Sequence, residues 1–234
     1  MTYVQGDIHE VIKSIEDDSI DFIYTDPPFG ITKCEWDKPL HWKELFPQMW
    51  RVLKPTGIIC LYASIPFTYE LLQYEKPKYH YSWKKNTKTG FLQSKRQPLR
   101  QMEEIFIYYK QSGTYNPQME GNTFYPKRNV KIGSEKHKYW GTRDNLKKDM
   151  KGNKSYQVEG QGHTGLYPTT FKEWNIRKDN TGITRDDAQI DYFLKTYSNE
   201  NDTVLDMTCH SGYVGDRCEI LKRNYIGVDL NIEI

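Results

Sequence analysis

Two periods of apolar spacing divide this chain. Val11, Ile12 and Ile15 recur at helical spacing ahead of the acidic turn Glu16-Asp17-Asp18-Ser19, and Ile20-Asp21-Phe22-Ile23-Tyr24 then predicts a buried strand. That strand must end at Thr25-Asp26-Pro27-Pro28, because two successive prolines neither continue a central strand nor enter a helix interior. Leu45, Phe46, Met49, Trp50, Val52 and Leu53 suit an amphipathic helix over 42–53, stopped by Lys54-Pro55-Thr56-Gly57, and a strand follows over 57–62. A helix over 67–74 and strands over 79–84 and 104–109 complete a β-α-β-α-β series, which favours a sheet with helices on both faces. From about Ser112 to Gly165 the pattern lapses into Gly, Asn, Lys and Tyr with few aliphatic clusters, the mark of an irregular insertion rather than a second core. Regular patterning returns with a helix over 188–194, a strand over 203–206, a helix over 214–221 and a strand over 225–229. The expected organisation is one α/β domain in two halves, 1–111 and 166–234, around an insertion at 112–165.

Composition narrows the function classes. The 234 residues carry 33 basic and 31 acidic side chains, so net charge by itself signals no polyanion partner. Its distribution is uneven: eight Lys and Arg lie between Lys76 and Arg100 without one Asp or Glu, a second basic run extends from Lys127 to Lys154, and the stretch 1–37 is acidic. Charge alone fits a polyanion-binding face and an ordinary solvated surface equally well. Cys34, Cys60, Cys209 and Cys218 form no CxxC pair and no metal-ligand spacing with histidine, so neither a metal site nor a disulfide framework is expected. The six histidines make no dyad with Cys or Ser, and the six tryptophans read as core and interface residues. The N-terminus lacks an apolar signal core, and nothing approaches an apolar run of about 18 residues, so a soluble, intracellular protein is expected.

The sharpest chemical signal is Asp26-Pro27-Pro28-Phe29 at a strand end. A carboxylate at Asp26 and the carbonyl of Pro27, presented by a rigid φ, would accept both hydrogens of an exocyclic amine such as adenine N6, and Phe29 would stack on a base that has left its duplex. Asp26 is then an orienting acceptor, not a nucleophile. A loop with two prolines after an acid is also a common turn, so context decides. That context is Val204-Leu205-Asp206-Met207-Thr208-Cys209-His210-Ser211-Gly212, a strand running into a small-residue turn and a helix, followed about 20 residues on by Asp229, where a strand-end acid would bind ribose hydroxyls.

Together these elements resemble the beta-class DNA adenine-N6 methyltransferases, in which Asp-Pro-Pro-Phe comes first, the cofactor turn last and the target-recognition region between them. Thr25-Asp26-Pro27-Pro28-Phe29-Gly30, Thr89-Gly90-Phe91-Leu92, Lys95-Arg96-Gln97-Pro98-Leu99 and Tyr115-Asn116-Pro117-Gln118 look like phage- or virus-type members in particular. The resemblance implies a doubly wound, mostly parallel, Rossmann-like sheet with S-adenosylmethionine as cofactor and double-stranded DNA as partner, and it makes a homodimer an expectation. It implies Asp26, Pro27, Pro28 and Phe29 as the catalytic motif, Asp26 also as a cofactor contact, and Asp206, Met207, Thr208, Cys209, Ser211 and Gly212 as the cofactor turn, Asp206 toward the methionine part. Asp229, with Leu230 beside it, would hold the ribose, and Asp7 and Ile8 the adenine of the cofactor.

Three departures stand out. His210 occupies a position where the family prefers glycine; the segment Gly182-Ile183-Thr184-Arg185-Asp186 keeps only Thr184 and Arg185 for polar cofactor contact; and the chain stops soon after the ribose acid, where relatives continue into a helix. On the DNA side, Lys84, Lys85, Lys88, Lys95 and Arg96, with Arg100, are candidates for phosphates, and Arg128, Lys131 and Arg143, with Asn129 and Asn145, for base reading. Two alternatives remain open: cytosine-N4 methylation, which more often places serine at the Asp26 position, and a catalytically inactive DNA-binding subunit.

Overall fold

The computed structural model of the chain describes residues 1–125, 129–132, 156–159, 163–179 and 182–232, with side chains from 1–124, 163–176 and 185–232. The chain divides into two compact units, Met1–Gln118 with Thr169–Ile234, and Met119–Pro168. The first holds an eight-stranded sheet. In chain order its strands are β1 (Thr2–Gln5), β2 (Ile20–Thr25), β3 (Leu53–Ala63), β4 (Tyr79–Thr89), β5 (Arg100–Tyr108), β10 (Phe171–Trp174), β13 (Thr203–Asp206) and β14 (Asn224–Asp229). Across the sheet they run β1-β14-β13-β2-β3-β5-β4-β10. β1, β14, β13, β2 and β3 are mutually parallel, β5 is antiparallel to both of its neighbours, and β10 is parallel to β4. A short antiparallel pair, β11 (Ile176–Asp179) and β12 (Gly182–Arg185), belongs to the same unit.

Helices cover both faces because successive strand residues point to opposite sides. Ile23, Ile59, Leu61 and Leu205 turn toward α1 (Ile8–Ser14), α2 (Trp42–Val52) and α3 (Phe67–Tyr74), burying Ile12, Leu45, Met49 and Leu71. Phe22, Tyr24, Ile58, Cys60, Tyr62 and Val204 turn the other way, toward α4 (Asp187–Tyr197) and α5 (Tyr213–Ile220), burying Phe193, Leu194, Tyr197 and Cys218. This second layer is aromatic: the hydroxyls of Tyr79 and Tyr81 lie 2.9 and 2.7 Å from that of Tyr197, so these rings fill the core without orphaning their polar ends.

The expected sheet with helices on both faces is the observed fold, but its edges and insertion hold more order than periodicity predicts. β3 begins at Leu53, so Lys54-Pro55-Thr56-Gly57, read as a helix stop, is the opening of a strand, and pairing with β2 shifts register between Ile20 and Phe22 to absorb it. The second unit is not irregular throughout: β6 (Glu120–Tyr125) pairs with β9 (His163–Leu166) and β7 (Asn129–Ile132) with β8 (Tyr156–Glu159), all antiparallel. Its limits differ from 112–165 because Gly113 and Asn116 are pinned to the first unit, so the chain leaves it only after Gln118. Among the described residues no helix is long and apolar enough to cross a membrane.

Candidate active site

Four acids stand at the carboxyl ends of four adjacent parallel strands. Asp7 follows β1, Asp229 ends β14, Asp206 ends β13 and Asp26 follows β2, and β1-β14-β13-β2 is their order in the sheet. At about 4.8 Å per strand the row spans about 14 Å along the edge where ligands of open α/β sheets bind. Asp7 and Asp229, 222 positions apart in sequence, thus stand on neighbouring strands.

Each acid is held differently. Asp7 caps α1, accepting from the His9 backbone N–H at 2.9 Å and facing the His9 ring at 2.8 Å; these contacts hold its carboxyl below the usual range. Asp229 accepts from the backbone N–H groups of His210 at 2.9 Å and Asn231 at 3.0 Å, which folds the β13–α5 turn against the end of β14. Asp206 is 3% exposed, and burial pushes its carboxyl up to about 7 against the Thr208 N–H and the Tyr225 hydroxyl, each 3.2 Å away. Asp26 lies across from it, and Thr25 Oγ1 meets Thr208 Oγ1 at 3.3 Å, tying the two motifs together.

The turn between β13 and α5 is tight, with two residues at positive φ. Gly212 caps α5 at φ +75°, where a Cβ would sit 3.1 Å from the Tyr3 hydroxyl. His210 also has positive φ, +42°, so the residue standing where the family prefers glycine adopts glycine's conformation, with an exposed side chain. Met207 and Cys209 are buried, Thr208 and Ser211 half-buried, Ile8 is in the core and Leu230 is exposed. Beyond the proline pair, Phe29 stacks on Phe67 with centroids 5.3 Å apart. The loop that follows is fixed by buried Asp37, which accepts from the N–H groups of Gly30 at 2.7 Å and Thr32 at 2.6 Å.

Arg185 comes to Asp26. Nε and Nη2 each donate to a different Asp26 oxygen at 2.6 Å, Nη1 lies 3.0 Å from Glu103 Oε2, and the guanidinium sits 4.6 Å from the Tyr62 ring centre and 4.7 Å from that of Trp83. Glu103 Oε1 accepts from Lys85 at 2.6 Å. Lys85, expected on phosphates, is therefore buried on Glu103, and Lys84 pairs with Glu173 at 2.9 Å. Lys88, Lys95, Arg96 and Arg100 are exposed around the β4–β5 tip. Thr184 and Lys131 lie in strands whose side chains are outside the described residues, as are Arg128, Arg143 and Asn145 altogether, and Asn129 is described as backbone only. Periodicity gave no hint of Glu103, Tyr62, Trp83 or Asp37. The available signal was a pair of acids, Glu103-Glu104, directly before the apolar run over 105–108, which demands a cation if buried.

The row would suit an S-adenosyl cofactor, with Asp7 and Asp229 available to an adenosine and Asp206 to a cationic amino acid, and the glycine turn would let a ligand approach backbone closely. Comparison with known proteins identifies the family. Residues 20–234 match the DNA methylase family of N6 and N4 enzymes. The chain is 25% identical over 242 residues to Type II methyltransferase M.HpaI of Haemophilus parainfluenzae, an alignment covering 96% of this chain, and it spans 68% and 54% of the lengths of the two curated relatives it matches. Among solved structures, the M1.HpyAVI complex with S-adenosylmethionine superposes with a TM-score of 0.59 at 19% identity, covering 98% of this chain and 94% of that one. The cytosine-N4-specific PvuII DNA methyltransferase superposes with a TM-score of 0.63 at 13% identity, covering 98% and 81%. A matched segment this long, carrying both the Asp26 motif and the cofactor turn, places the chain in the S-adenosylmethionine-dependent N6/N4 DNA methylase family.

Proposed function

We propose that this chain is a site-specific methyltransferase acting on N6 of an adenine flipped out of duplex DNA. The observation that supports this base is the aspartate at the head of Asp26-Pro27-Pro28-Phe29, at the end of the acid row nearest the methionine-facing Asp206. S-adenosylmethionine, when bound, supplies an electrophilic methyl on a sulfonium. The chain supplies position. Asp26 and the Pro27 carbonyl accept the two amine hydrogens, drawing the nitrogen lone pair out of conjugation and toward the cofactor, and Phe29, backed by Phe67, gives the flipped base an apolar platform. No covalent enzyme intermediate is needed.

Nucleoside analysis of unmethylated genomic DNA after reaction tests the base. N6-methyldeoxyadenosine is the expected product. N4-methyldeoxycytidine would support the second reading, which draws on the likeness in fold to a cytosine-N4-specific enzyme. For the duplex, the exposed Lys88, Lys95, Arg96 and Arg100 are assigned to phosphates and the second unit to base reading. Alanine at any of the four is expected to weaken all duplexes alike and to lower the salt slope by about 1. A change in sequence preference would contradict that division.

A further inference from the structure

Arg185 was expected among cofactor contacts, yet its guanidinium is spent on the carboxylate that meets the target base. Asp26, Arg185, Glu103 and Lys85 form a chain of alternating charge reaching from the end of β2 through β12 to β5 and β4, with contacts of 2.6, 3.0 and 2.6 Å. Side-chain exposures are 14% for Arg185 and 11% for both Glu103 and Lys85. A surface ion pair of this kind would contribute little, but here the group at the end of the chain is the motif's aspartate, and each later member neutralises the one before it. The geometry is also directional. A carboxylate offers about four lone-pair positions, and the fork of Arg185 takes one on each oxygen, which fixes the plane of the group and, among the described residues, leaves the other positions to a substrate amine. Tyr62 and Trp83 hold the guanidinium face-on, so the fork has little freedom to swing away.

We infer that Arg185 is a positioning residue for methyl transfer: it fixes Asp26 as an ionised, correctly rotated acceptor for the target amine, with Glu103 and Lys85 completing its charge balance. The inference rests on the reading of Asp26 as the amine acceptor and holds for either base. Without Arg185, Asp26, whose side chain is 32% exposed, is left beside Glu103, a like charge that disfavours its own, with Lys85 the cation nearby. Burial already lifts the Asp26 carboxyl above its ordinary value, and Arg185 is the leading influence against that rise. Removing Arg185 therefore raises the pH at which the acceptor forms.

The experiment is single-turnover methyl transfer by protein preloaded with S-adenosylmethionine, from pH 5.5 to 9. It compares wild type, Arg185→Lys, Arg185→Met, the charge-balanced pair Arg185→Met with Glu103→Gln, and Asp26→Asn. We expect Arg185→Met and the pair to slow transfer at pH 7 about a hundredfold, with the acid limb displaced upward by at least one pH unit, so that the deficit shrinks in alkali. Arg185→Lys should recover part of the rate, and cofactor affinity should stay within about threefold throughout. A wild-type acid limb in both Met variants, or a fall in cofactor affinity that accounts for the whole loss, overturns the inference. Asp26→Asn separates the two levels: full activity in that variant removes the Asp26 reading itself, whereas loss there with an unshifted limb in the Met variants removes the role of Arg185 alone.

Discussion

At Asp206 the fold sets binding against stability. Its carboxyl is held at about 7 in the folded chain against an ordinary 3.8, chiefly by burial. Below about pH 4 the group is neutral in both states and no penalty arises; as pH rises the unfolded chain ionises first, so the ligand-free fold loses stability up to about pH 7 and levels off above it. The full penalty is on the order of 4 kcal/mol. Asp206→Asn removes it, so the melting temperature without cofactor should rise by roughly 5 °C or more at pH 8, with the gain vanishing near pH 4. The same variant should bind S-adenosylmethionine at least tenfold more weakly, as titration calorimetry would show. Parallel pH profiles for variant and wild type would contradict this account. Asp26, Asp206 and Asp229 each read equally as a turn residue or helix cap when taken alone, and it was their joint spacing with the proline pair and the small-residue turn that made them legible in the sequence. The contacts of Arg185 were not, since nothing in a linear chain says that β12 delivers its last residue to the end of β2.

The joins between elements depend on a few short contacts. Asn116 closes the carboxyl end of α4: its amide donates to the carbonyls of Lys195 at 3.1 Å and Ser198 at 3.4 Å, and its backbone N–H donates to Thr196 at 2.8 Å. Tyr115-Asn116-Pro117-Gln118, which reads in sequence as a family signature, is thus a clasp on the methylase core. Asn116→Ala should lower stability by about 1–2 kcal/mol in urea titration while leaving methyl transfer at 25 °C near wild type. Gly113 is the stricter case, because an added Cβ would lie 1.8 Å from the Thr56 carbonyl oxygen. Gly113→Ala should therefore shift backbone and destabilise by about 2 kcal/mol or more, read in the same titration. Several elements that periodicity missed are four-residue strands such as β1, β10 and β11, too short to show alternation, and β13, equally short, was found because it runs into the small-residue turn. Those it found carry long buried runs, as in β2, or a clear apolar stripe, as in α2.

Across the whole molecule, function rests on sheet order. The acid row exists only because β14 and β13, from the last 32 residues, insert between β1 and β2. A chain whose cofactor turn comes last can build the same pocket as one whose turn comes first, since the sheet records adjacency and not sequence position. Among the described residues, the second unit, Met119–Pro168, contributes no strand to that sheet. Replacing it with a Gly-Ser linker of about 15 residues should preserve the fold and S-adenosylmethionine affinity while abolishing preference among duplex sequences. Loss of cofactor binding would show that the two units are not separable. The sheet was foreseeable from alternating strand and helix patterns, whereas the strands of the second unit were not, because Gly, Lys and Asn mask a two-residue period.

The central claim is that methyl transfer occurs where the acid row meets Asp26. Its most direct test mixes the preformed complex with S-adenosylmethionine and unmethylated duplex DNA under single-turnover conditions, comparing wild type with Asp26→Asn after matching their melting temperatures. The account predicts S-adenosylmethionine affinity within a few-fold in both and transfer slowed at least about a thousandfold in the variant. Comparable transfer by Asp26→Asn, or no cofactor binding by the wild-type chain, would contradict it.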